Sequence, residues 1–164
     1  MSPRAFPVSV TLEMLAAGPR AIRDLVAPAP DARRRARPGP DAWSAHEIFA
    51  HLRACADVWG GHIRAILADH PARLGAGDPR AWAADRRYAD AEFQDSFAVY
   101  LTDREALLAL LRNLPEEGWA SSALMVGSAT RVERSVHWHA DHIARHEEQH
   151  VVQMSRVLRA VARG

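Results

Sequence analysis

Four stretches of this chain carry apolar residues at helical spacing, and proline-bearing segments separate them. Period-2 alternation is nearly absent, so the sequence predicts an all-helical protein with four main helices. The first is expected over about residues 11 to 27, interrupted at Gly18-Pro19, where proline suits the first turn of a renewed helix. The second opens at Ser44, whose S-x-x-E pattern with Glu47 is a capping box, and runs to about Asp69. A third covers about 91 to 112. The fourth is expected from a second capping box, Thr130 to Glu133, to about Ala162. A short helix after Asp78-Pro79 is the one further element anticipated in the connections.

Helices that each bury one stripe pack as a bundle. Each of the three connections runs to roughly 15–20 residues, longer than the 2–8 typical of tight helical hairpins. They are long enough to cross a bundle lengthwise, so simple up-and-down order is not imposed. The 164 residues suit a single domain, 1–164, with a substantial core.

Composition closes several functional classes. Net charge is +1, from 21 basic and 20 acidic residues, which gives no global field for nucleic acid or membrane. Every basic residue is arginine, so a Schiff-base or P-loop lysine is excluded. The cluster Arg33, Arg34, Arg35 and Arg37 lacks interleaved aromatics and reads as a solvated loop, not a phosphate patch. Cys55 is the single cysteine, which excludes an internal disulfide and fits a reducing compartment. With no apolar leader or membrane-length run, a cytoplasmic location is expected.

The histidines carry the chemical signal. On the fourth helix, at about 100° per residue, His146 and His150 lie about 20° either side of His139, within the apolar stripe of Ile143, Met154 and Val157. His142 falls on the flank, and His137 faces out. On the second helix His51 shares a stripe with Ile48, Cys55, Val58, His62 and Ile66. Two imidazoles one turn apart present nitrogens to one point, and a third from a facing helix completes a three-nitrogen site. Buried together, three neutral imidazoles call for something that satisfies them, as a divalent metal does. His51, His146 and His150 are therefore the candidate metal ligands. Cys55, one turn beyond His51, is expected to pack as a small hydrophobe.

The same segment reads H-E-E-Q-H, the zinc-protease pattern. A protease needs a third ligand downstream, but VVQMSRVLRAVARG contains no His, Asp or Glu. No strand for a substrate peptide is evident upstream either. Glu147 lies beside the stripe and reads as a surface residue. A zinc hydrolase of the HExxH type is thus a minor reading.

Arg104 falls at the centre of the third helix's apolar stripe, with Phe97, Leu101, Leu108 and Leu111. A guanidinium there needs a partner. That partner is either an internal carboxylate or the anionic part of a substrate near the pocket mouth, which makes Arg104 the candidate substrate-binding residue.

WSAHEIFAHL (Trp43 to Leu52), followed by HIARHEEQHVVQM (His142 to Met154), resembles the DinB-like family of four-helix metalloproteins. LAAGPRAIRDL (Leu15 to Leu25) and the arginine of TDREALLALL resemble it too. The sequence departs from the family in having glutamate after the first histidine of the pair, where aspartate often stands. Carried over residue by residue, the resemblance also gives His51, His146 and His150 as ligands, with Gln153 on the matching position after the pair. It implies an up-down-down-up bundle, commonly a homodimer, holding zinc, nickel or another divalent ion. The activity it implies is a thiol-dependent transfer to a small electrophilic substrate, using a low-molecular-weight thiol. A non-catalytic metal-binding or stress-response protein is the alternative.

Overall fold

The computed structural model describes residues 5–69, 72–127, 129 and 131–163. Four long helices form the frame: α1 (Val8–Val26), α3 (Ala45–Asp69), α5 (Phe93–Arg112) and α7 (Val136–Val161). Short helices α2 (Asp31–Arg35), α4 (Pro79–Asp85) and α6 (Glu116–Ala120), a 3-10 turn at Tyr88–Asp90 and three strands occupy the connections.

Residue contacts fix the order of the bundle. His51 meets His146 and His62 meets His139, so α3 and α7 run antiparallel. Phe6 bonds Asp141 while Gly18 lies against Glu147, so α1 and α7 run parallel. Phe49 packs on Phe93 and Arg64 reaches Asp103, which makes α3 and α5 parallel. The topology is up-down-down-up, and only long connections permit it. None of the described residues forms a helix long and apolar enough to cross a membrane.

The Ser44–Glu47 capping box forms as the sequence predicts. The Ser44 amide donates to Glu47 Oε2 (2.8 Å) and the Glu47 amide to Ser44 Oγ (3.2 Å). The anticipated helix after Asp78 is α4, with the Asp78 carboxylate accepting from the Arg80 amide at 2.9 Å. The fourth helix does not start at the second predicted cap. Thr130 lies outside the described residues, and Glu133 belongs to a strand. The helix starts at Val136, capped by Ser135 Oγ, which accepts from the Trp138 amide at 3.1 Å.

That strand, β3 (Arg131–Ser135), pairs antiparallel with β2 (Ser122–Val126). β1 (Arg73–Gly75) adds in parallel on the other edge of β2. This small sheet was not anticipated in the connections; its inward residues Ala123 and Met125 are buried.

Two further readings change. α1 is continuous through Gly18-Pro19, with Pro19 buried inside it. The arginine cluster is only partly a solvated loop: Arg33, Arg34 and Arg35 lie on α2, with Arg33 and Arg34 half-buried, while Arg37 is exposed in the loop that follows. Arg33 donates to the Leu158 carbonyl and Arg34 to the Ala29 carbonyl, Arg35 pairs with Asp31, and Arg37 pairs with Glu47.

The core divides into two apolar clusters, one around Leu15, Cys55, Ile63, Leu108 and Ile143, the other around Ile22, Phe49, Phe97 and Met154. Between them every long helix contributes to a polar layer: Gly18 from α1, His51 from α3, Arg104 from α5, and His146 and Glu147 from α7.

Candidate metal centre

Helix geometry builds the polar layer in two halves. His146 and Glu147 are neighbours on α7, about 100° apart around its axis, and so they face different neighbours, α3 and α5.

On one side, Glu147 turns into the bundle. It is 2% exposed, which overturns its assignment to the surface. Its Oε2 accepts from Arg104 Nη1 at 2.8 Å, and its Oε1 accepts from Arg104 Nη2 and from the Tyr100 hydroxyl. Burial works against the charge on Arg104, but the Glu147 carboxylate outweighs it, and the arginine pKa is raised. Burial and the same carboxylate raise the Tyr100 pKa well above its ordinary value.

The Gly18-Pro19 pair explains how this cluster fits. Proline 19 has no N–H to donate to the carbonyl four residues earlier, which leaves the Leu15 oxygen free. Arg104 Nη1 donates to that oxygen at 3.0 Å. A Cβ at position 18 would collide with Glu147 Oε2. Glycine makes room for the carboxylate, and proline frees an acceptor for its arginine.

Arg104 therefore has the internal carboxylate as its partner. It does not line the pocket that holds the histidines, which corrects its placement near the pocket mouth. Glu147 is likewise turned away from those histidines, so a general-base role of the HExxH kind has no geometry here.

On the other side of α7 the three predicted histidines meet. His146 Nε2 lies 3.2 Å from His51 Nε2 and 3.1 Å from His150 Nε2. Burial, then the charge of the neighbouring imidazoles, pushes the His146 pKa down to about 3 and that of His51 to about 4. Burial lowers His150 as well, with Gln153 acting against it. All three rings are neutral at pH 7 and able to act as ligands.

Hydrogen positions follow from this. His150 Nδ1 donates to Gln153 Oε1 at 2.7 Å, which leaves the His150 Nε2 lone pair bare and aimed at His146. His146 Nε2 holds one hydrogen at most and cannot direct it well to both neighbours. At least one close nitrogen contact thus lacks a good hydrogen bond. A divalent cation receiving the three lone pairs removes that conflict, so the donor set fits a metal.

Cys55 Sγ is the deeper neighbour, 3.6 Å from His51 Nε2. Donor atoms of His51, Cys55 and His146 lie within 4.8 Å of one another, and this trio is a second set able to hold an ion. The thiol is fully buried, and burial pushes its pKa up to about 12. It remains protonated at neutral pH, whereas the histidines offer lone pairs without losing a proton.

The three histidines form one wall of a pocket of about 790 Å³, together with Trp43, Asp78, Arg80 and Gln153. Cys55 does not reach it. Arg80 is exposed at this wall, where sequence reasoning assigned it no role; its only signal was its place just after the Asp78-Pro79 helix start. His142 and His139 are turned along α7 toward a separate cavity. His137, expected to face out, is half-buried and bonds the Phe6 carbonyl at 2.9 Å.

A family model described as the DinB superfamily matches residues 14–154. No curated protein matches the sequence. A solved structure of similar fold is that of YfiT from Bacillus subtilis, described as a probable metal-dependent hydrolase with an unusual four-helix bundle topology. The two are 16% identical, with a TM-score of 0.75 over 95% of this chain and 92% of that one.

Proposed function

Because the chain belongs to the DinB superfamily and turns three neutral imidazoles toward one point at the wall of a large pocket, we propose that it is a metal-dependent enzyme. The ligands in this reading are His51, His146 and His150, the metal is zinc or nickel, and the reaction joins a low-molecular-weight thiol to a small electrophile. The observation that carries it is that His51 Nε2 and His150 Nε2 both close on His146 Nε2, at 3.2 and 3.1 Å, along one wall of the pocket.

A divalent ion bound there would lower the pKa of a thiol or water and so supply a nucleophile at neutral pH. The chain's own residues do the rest. Gln153 holds His150 in the tautomer that offers Nε2. Trp43 packs 5.2 Å from His51, fixing that ring from the pocket side. A pocket of 790 Å³ is at the upper end of ordinary ligand sites and has room for a thiol and its acceptor together. Arg80 presents a guanidinium at the wall to an acidic thiol's carboxylate, the task that the buried Arg104 cannot perform.

Cys55 favours a second reading. If it joined His51 and His146 as a ligand, the site would be closed on its buried side and suited to a non-catalytic metal.

The test loads purified protein with zinc or nickel and follows thiol conjugation of monochlorobimane with glutathione, mycothiol or bacillithiol. The reading expects thiol-dependent turnover that His150→Ala abolishes. Hydrolysis of p-nitrophenyl acetate without thiol would instead make water the nucleophile, as in a hydrolase. A fully loaded protein that does neither would favour the non-catalytic reading.

A further inference from the structure

Three turns along α3 from His51, a second pair of imidazoles comes together. The rings of His62 and His139 have centroids 5.1 Å apart. His139 is 1% exposed, yet neither of its ring nitrogens has a hydrogen-bond partner among the described residues, nor does Nδ1 of His62. Leaving buried polar atoms unpaired is costly, and such atoms in a folded protein call for an explanation.

Both rings line a cavity of about 190 Å³ walled by the indoles of Trp59, Trp82 and Trp138 and by Arg134. The Arg134 guanidinium lies 4.2 Å from the centroid of the Trp138 ring, and no carboxylate pairs with it among the described residues. Strand β3 brings this arginine to the cavity, and β2 adds Met125. The cavity is separate from the histidine pocket. Pro79 stands between them as a shared wall, and Trp59 packs 4.9 Å from His146.

We propose that this cavity binds a small aromatic carboxylate. Arg134 is the donor for the anionic head, the ring N–H groups of His139 and His62 lie buried just behind the cavity wall where a small turn of either ring brings them to it, and three indoles make a π-rich slot for the ring. Cavities of roughly 150 Å³ admit benzene, so the volume here accommodates a ring with its carboxylate. The two features answer each other, because a carboxylate accepts the N–H that each neutral imidazole leaves unmet and neutralises a guanidinium with no carboxylate partner among the described residues.

The experiment is calorimetric titration with benzoate, benzamide and acetate, in excess EDTA so that no carboxylate binds a metal. Benzoate should saturate one site at least about tenfold more tightly than benzamide, which lacks the charge, or acetate, which lacks the ring. Arg134→Gln should erase the preference for benzoate over benzamide. His139→Leu, checked for an unchanged circular dichroism spectrum, should weaken benzoate by about tenfold or more. Absence of saturation up to roughly 10 mM benzoate, equal affinity for benzamide, or unchanged binding in Arg134→Gln would overturn the proposal. The Arg134→Gln arm stands even if His139→Leu fails to fold.

Discussion

Replacing Glu147 with glutamine separates the two halves of the polar layer. The side chain keeps its volume and loses its charge, while Arg104, whose side chain is 2% exposed, keeps its own. An amide also offers only one acceptor oxygen where the carboxylate receives two guanidinium nitrogens and the Tyr100 hydroxyl. Removing one partner of a buried ion pair costs about 3–5 kcal/mol, since the remaining charge is left without compensation. Against a total stability of roughly 5–15 kcal/mol, that is a large fraction. At about 2–4 °C per kcal/mol for a chain of this size, Tm should fall by roughly 6–20 °C. Urea unfolding should show a lower midpoint with an unchanged slope. The double variant Glu147→Leu with Arg104→Leu should recover much of the loss, short of the hydrogen bond that Arg104 gives the Leu15 carbonyl. Zinc affinity of the folded Glu147→Gln protein should match the parent, because this side chain faces away from the histidines. A stability loss below about 1 kcal/mol would refute the buried-pair argument. Intact stability with lost metal binding or lost turnover would restore Glu147 to a protease-like role.

Two further outcomes are expected. Gln153→Ala removes the acceptor that fixes His150, so competition titration with a chelator should show zinc affinity lower by about 10–100-fold in a folded protein; unchanged affinity would remove Gln153 from the site. Burial, then the nearby His62, pushes the His139 pKa down to about 3, below the unfolded value of about 6.5. The unfolded chain therefore takes up this proton first. The contribution is complete above about pH 6.5 and is lost at up to about 1.4 kcal/mol per pH unit as pH falls toward 3. Urea unfolding between pH 6 and 4 should have a shallower pH dependence in His139→Leu, and equal slopes would contradict the assignment.

Much of the bundle and the histidine cluster was legible because both depend on helical period. Counting at 100° per residue places His51, His146 and His150 on inward faces, and a facing pair of helices then brings them together. The Ser44–Glu47 cap was legible because its partners are three residues apart. What sequence reading missed depends on contacts distant along the chain. Glu147 looked peripheral because only its angle on α7 was visible; Arg104 lies 43 residues away, and the space for their pair is made by Gly18 on a third helix. Pro19 looked like a break because its local cost was visible and the donor that Arg104 supplies to Leu15 was not. The Thr130–Glu133 pattern imitates a cap, but β3 draws Glu133 into a sheet whose parallel strand β1 lies some fifty residues earlier.

The central claim is that His51, His146 and His150 together hold a divalent metal, with Cys55 left as packing. Zinc-edge X-ray absorption of the zinc-loaded protein tests it most directly. The account predicts one zinc per chain with three histidine nitrogens at roughly 2.0–2.1 Å, light-atom ligands only, and loss of that signature in His51→Ala. A sulfur shell near 2.3 Å, or a coordination shell unaltered in His51→Ala, would contradict it.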